Sequence, residues 1–182
     1  DTEMARAHGP LDYVQLMTYD MRSGFCSEAG HHTAPFPSEK GDPRVCMSST
    51  VEAFHAAGVP YEKMIVGAAF YARRWGGVPD TDHGMFMPAG TVGQGGPDYG
   101  VLAADYIGKN GWTRYWDESA QAPWLCRDGE LISYNDELSI AAKCRYLLEK
   151  GLLGIMYWEH GCDGTRRLLT AMARALGRDG EA

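Results

Sequence analysis

Residues 13–20 read YVQLMTYD, an apolar run that stops at a tyrosine and an aspartate side by side. The same form recurs at 63–75, KMIVGAAFYARRW, and at 152–160, LLGIMYWEH. The apolar parts, 13–17, 64–70 and 152–158, do not alternate cleanly with polar residues. Continuous runs of this length suit strands buried on both faces, as in parallel sheets.

Working outward, each run is followed by a helical pattern. Val51 and Phe54 stand three apart in STVEAFHAAG, with Gly58 as a stop. In DELSIAAKCRYLLEKG, Ile140, Cys144, Leu147 and Leu148 line one face, Asn135 or Asp136 caps the start and Gly151 ends it. Leu168, Leu169, Met172, Ala175 and Leu176 do the same up to Gly177. Strands alternating with amphipathic helices predict βα units on a parallel sheet.

One connection is too long for a βα loop. From Tyr71 to Asp136 the chain runs on for far more than the ~2–6 usual residues. Its first part, residues 76–100, is rich in Gly and Pro and reads as an extended loop. Its second part holds WTRYWD, then PWLCR and ELISY on either side of Asp128-Gly129, a strong hairpin signal. The connection is expected to form a small inserted α+β subdomain. Three strands with three helices cannot close a barrel and leave two open edges. Part of a larger architecture is expected.

The bulk properties narrow the partner. The chain has 182 residues, a formal charge of −7 and a sequence pI of about 5.3, which argues against a nucleic-acid partner. No stretch reaches the ~20 apolar residues of a membrane span, and DTEMARAHGP has no signal-peptide core. Five cysteines are an odd number without CxxC spacing, so buried thiols are expected, with a single Cys26–Cys46 bridge left open. His31 and His32 with Cys26 and Cys46 match no common zinc spacing, and no metal or cofactor is expected.

In parallel α/β folds ligands bind at the carboxyl ends of strands. Those ends carry Tyr19 and Asp20, Tyr71 and Arg73, and Trp158 and Glu159. Flat aromatic surfaces with polar handles suit sugar rings, which are apolar on their faces and hydroxylated at their rims. MTYD at 17–20, GAAFYARRW at 67–75 and GIMYWEHGCD at 154–163 stand in an order and spacing that resemble glycoside hydrolase family 18. GHHT at 30–33, YWDESAQAPWL at 115–125 and ISYNDELSIAAK at 132–143 extend the resemblance over residues 11–176.

The resemblance implies an α/β fold: the C-terminal part of a (β/α)8 TIM barrel, strands six to eight, with an inserted α+β subdomain. On that reading residues 1–74 hold strands six and seven, 75–133 the insertion, and 134–182 helix seven, strand eight and helix eight. It further implies a chitinase-like enzyme cleaving β-1,4-linked N-acetylglucosamine, with the substrate's own acetamide as nucleophile. Tyr19 and Asp20 are the implied catalytic residues: the phenol on the acetamide oxygen, the carboxylate beside the developing cation. Met17 is expected beneath the site, Trp158 as its floor, and Tyr71 and Arg73 on the neighbouring sugar and on Asp20. FYARRW departs from the family's FYGR followed by glycine, with Ala72 and Arg74 in place of glycines.

The family's D-x-x-D-x-D-x-E motif, which supplies the general acid, occurs nowhere in these residues. The resemblance therefore implies a C-terminal piece, inactive by itself, whose partners are chitin or a related oligosaccharide and the other barrel strands of the same protein. A lectin-like relative that has lost the acid is the alternative. Secretion is expected of a polymer degrader, whereas unpaired cysteines argue against it.

Overall fold

The computed structural model describes residues 3–178, so the outer ends of the two expected barrel segments, at residues 1 and 182, lie outside it. A short helix α1 (Met4–Ala7) leads into strand β1 (Val14–Leu16), and a long loop connects β1 to helix α2 (Met47–Ala56). Strands β2 (Met64–Ala69) and β3 (Tyr71–Gly76) follow, then β4 (Gln94–Asp98), the one-turn helix α3 (Tyr99–Val101) and a π-helical turn at Leu102–Tyr106. Strands β5 (Thr113–Asp117), β6 (Ala122–Arg127) and β7 (Glu130–Ser133) precede helix α4 (Glu137–Lys150), strand β8 (Gly154–Trp158) and helix α5 (Arg167–Ala175).

β1, β2 and β8 form a parallel sheet in that order, with Leu16, Val66 and Ile155 in register. These are the three apolar runs of the sequence. Leu16 and Val66 pack with Met47, Val51, Tyr146 and Leu147, so α2 and α4 cover that face. β4-β3-β7-β6-β5 form a separate antiparallel sheet. Its β6–β7 turn is the expected Asp128-Gly129 hairpin, both residues at positive φ (47° and 78°) as a type I′ turn requires.

KMIVGAAFYARRW is two strands rather than one. The chain changes sheet at Phe70, whose N–H donates to the Trp158 carbonyl (2.8 Å) and whose own carbonyl accepts from Tyr99 N–H (2.8 Å). Beyond it only Ala72 and Trp75 of β3 are buried, whereas five of the six residues of β2 are. Residue 74, expected to close the barrel segment, lies inside β3, and Tyr71 and Arg73 stand on the antiparallel sheet. The Gly/Pro-rich stretch holds β4, and its Pro97 is tolerated because β4 is an edge strand. Phe70, Ala72, Tyr99, Leu125, Ile132, Ile140 and Leu168 share one core, which joins the two sheets through α4 and α5.

Local signals place the helix ends. Asp136 rather than Asn135 is the N-cap of α4, in a reciprocal capping box with Ser139, and Gly151 closes it in the left-handed region (φ 68°). The five cysteines are free, so no Cys26–Cys46 bridge forms, and the Cys46 sulfur instead accepts from Ser49 N–H to cap α2.

Candidate active site

The site assembles where β1 ends against the start of β3. Gln15 and Leu16 continue the parallel ladder, after which Asp20 adopts a left-handed conformation (φ 57°), one that Asp tolerates better than most residues. Its carboxylate meets the Arg73 guanidinium in a two-pronged pair, Nε to Oδ1 and an Nη to Oδ2, both 2.6 Å. Tyr71 and Arg73 are two apart on β3 and so share a face. The guanidinium lies 5.2 Å from the Tyr71 ring centre, and that ring meets Tyr19 edge-on at 6.1 Å.

Behind Asp20 sits His32, fully buried, its Nδ1 3.4 Å from the Asp20 backbone N and 3.6 Å from Oδ1. Burial pushes its imidazole down to about 4 against the opposing pull of Asp20. Burial pushes the Asp20 carboxyl up, but the adjoining His32 and the forked hydrogen bonds from Arg73 outweigh it and hold the group well below the usual carboxylate range. Burial and the Asp20 charge raise the Tyr19 phenol, and burial raises that of Tyr71. At neutral pH the site thus presents an anion and two phenolic donors.

Tyr19, Asp20, Tyr71 and Arg73 line a cleft of about 500 Å³ together with Met17, Trp158, Gly95, Gly96, Asp98 and Glu159. All six residues singled out in the sequence, Met17, Tyr19, Asp20, Tyr71, Arg73 and Trp158, meet there. Met17 stands on the rim, 71% exposed, rather than packed beneath the site, and Trp158 is 57% exposed. Glu159 makes no salt bridge among the described residues; its carbonyl accepts from Cys162 N–H (3.0 Å). His31 and His32 face different acids, with His31 Nε2 3.4 Å from Asp117. Trp112 and Trp124 are buried in the antiparallel sheet's packing.

Gly67, Gly95 and Gly96 were not legible as site residues one by one, and the sequence marked His31 and His32 alike as candidates to line the groove without telling them apart. A Cβ on Gly67 would come within 2.8 Å of the Tyr19 ring and 3.0 Å of the Leu16 carbonyl, so the glycine gives Tyr19 its seat. A glycine inside an otherwise apolar strand is the available signal for such an approach. At Gly96 a Cβ would meet the Ala72 side chain and carbonyl at 2.9 Å, so the glycine allows β4 to lie close against β3 beside the cleft.

Comparison with known proteins identifies the family. Residues 2–163 match the family described as Glycosyl hydrolases family 18. Chitinase A1 of Niallia circulans is 32% identical over 92% of this chain and 26% of its own length. Chitotriosidase-1 of Mus musculus is 33% identical over 81% of the chain and 33% of its own. Among solved structures, a glycoside hydrolase family 18 N-acetylglucosaminidase from Paenibacillus barengoltzii superposes with a TM-score of 0.94 at 48% identity, over 96% of this chain and 52% of that one. The chain spans a third or less of the two curated relatives and about half of the solved one. With the match covering most of its length and the strand-end residues gathered in one cleft, the chain belongs to glycosyl hydrolase family 18.

Proposed function

We propose that this cleft binds β-1,4-linked N-acetylglucosamine and serves its hydrolysis with the substrate's acetamide as nucleophile. The observation that carries the reading is Tyr19 beside an Asp20 kept ionised by Arg73 in an aromatic-rimmed cleft. The two chitin-degrading relatives and the N-acetylglucosaminidase support the substrate class.

In this mechanism the acetamide oxygen attacks the anomeric carbon while the bond to the leaving oxygen breaks and that oxygen takes a proton. Water then opens the cyclic intermediate. The Tyr19 phenol donates to the acetamide oxygen and fixes its approach. The Asp20 carboxylate stabilises the positive charge that grows on the ring and the acetamide nitrogen. Trp158 offers its exposed face beneath the sugar, and Tyr71 and Arg73 contact the next one. β1, β2 and β8 are strands six, seven and eight of the barrel, and the antiparallel sheet is the insertion between strand seven and its helix. The proton donor comes from a D-x-x-D-x-D-x-E segment, which is not among these 182 residues.

Tyr19→Phe in the native full-length protein tests the reading. Turnover of a chito-oligosaccharide should fall about ten-fold or more without a lower melting temperature, since only one hydroxyl is lost. The freshly released reducing end, followed by NMR, should retain the β configuration, because two displacements occur at one carbon. Unchanged turnover in the variant, or an inverted product, rejects the acetamide mechanism.

A further inference from the structure

We propose that Lys143 is a positioning residue: its buried ammonium binds the ends of β1 and β2 to helix α4 and thereby fixes Tyr19 and Asp20 for reaction. The inference rests on the function proposed above. Lys143 lies on the buried face of α4 and is 0% exposed. No carboxylate pairs with it among the described residues. Its Nζ donates to three oxygens instead: the Thr33 hydroxyl at 2.8 Å, the Gly67 carbonyl at 2.9 Å and the Thr18 carbonyl at 3.4 Å.

Each acceptor is one step from the cleft. Thr18 directly precedes Tyr19 in the chain. Gly67 is the residue on which the Tyr19 ring is seated. Thr33 directly follows His32, which backs Asp20. The strand ends are cross-linked again by the Thr18 hydroxyl, which donates to the Gly67 carbonyl (2.8 Å) and accepts from Gly67 N–H (2.9 Å). Asn135, at the head of α4, accepts from Ala69 N–H (3.2 Å) and has its Oδ1 3.2 Å from the Thr33 hydroxyl. A merely space-filling position would be met by an apolar residue; burying an amine with three oxygens specifies where those oxygens stand. Burial pushes the Nζ down to about 7; the ammonium has one hydrogen for each of the three oxygens, whereas the neutral amine has two.

The test replaces Lys143 by methionine in the native full-length protein. Kinetics on a chito-oligosaccharide are measured below the melting transition, alongside hydrogen exchange of the Gly67 amide. Positioning predicts kcat lowered about ten-fold or more with KM within about two-fold, since displacement near 1 Å costs up to ~100-fold in rate while the exposed sugar platforms are untouched. It also predicts faster exchange at Gly67 with unchanged exchange in α2. A normal kcat in a variant that only melts earlier overturns the proposal. Should Lys143→Met not fold, Thr33→Val removes one acceptor, leaves the two carbonyls, and must lower kcat at constant KM; normal kcat there overturns it equally. If the unaltered protein does not turn over the oligosaccharide, the proposed function fails. The Gly67 exchange rate then decides the positioning role alone, and an unchanged rate rejects it.

Discussion

A carboxylate helps a developing cation only while it stays ionised, and Asp20 owes that state to what surrounds it. Burial works against the charge, and the adjoining His32 together with the forked Arg73 pair reverses the balance. A carboxyl whose folded value lies below its unfolded one contributes stability that is present above the unfolded value and lost as pH falls through the folded one. Arg73→Gln should raise the Asp20 value and so narrow the difference in unfolding free energy between neutral and strongly acidic solution, measured by urea titration at both. An unchanged difference would show that Arg73 does not set the charge. On the proposed function the same variant should also lose turnover, since the Asp20 carboxylate loses the forked pair that orients it. Trp158 presents the converse case, a large side chain more than half exposed. Trp158→Ala should raise KM for a chito-oligosaccharide about ten-fold, a loss of about 1.4 kcal/mol of binding, with little change in melting temperature. A fall in stability with KM unchanged would make it a packing residue.

At the scale of elements, what the sequence made legible was whatever has a local cause. Helix α4 was readable to within a residue of its start and to its end, because Asn135 or Asp136 and Gly151 are chemical signals of start and stop; the Ser139 capping box places the cap on Asp136. Gly151 has no atom within 4 Å of a built Cβ, so only its left-handed backbone opposes a side chain. Gly151→Ala should therefore cost about 1–2 kcal/mol in thermal or urea unfolding, with no change in activity; a larger loss would reveal packing that the geometry does not show. The Asp128-Gly129 turn was equally local. The apolar run ended at Phe70 in the sequence as well, but the new strand that begins at Tyr71 in another sheet was not legible, because Trp158 and Tyr99 from distant parts of the chain set the change. Apolar content alone does not tell one strand of thirteen residues from two that belong to different sheets. β4 was hidden because Gly and Pro are poor strand formers, and only an edge position beside β3 admits them. In the site, the strand-end residues stood out, whereas Gly67 and His32 matter through what they touch. Lys143 was visible only as a charge on an apolar helical stripe, between Ile140 and Leu147.

At the scale of the molecule, the two sheets differ in how much of their surface is satisfied. The antiparallel sheet closes its own packing around Trp75, Trp124 and Leu131 and shares a second core with α4 and α5. The parallel sheet is covered by helices on the face of Leu16 and Val66, while Gln15, Ile65 and Gly154, in register on the other face, are not buried. Its outer strands β1 and β8 each pair on one side only among the described residues. Tyr13, Met17 and Trp158 stand exposed along these strands. Parallel sheets are stable when both faces are covered, and an unpaired strand edge invites another strand. The 182-residue chain expressed alone should therefore self-associate as its concentration rises, seen as a growing apparent mass in sedimentation. It should also bind a hydrophobic dye through the uncovered face of the parallel sheet. A species that stays monomeric at every concentration and melts in one cooperative calorimetric transition would show instead that the helices and the antiparallel sheet suffice to stabilise the three strands.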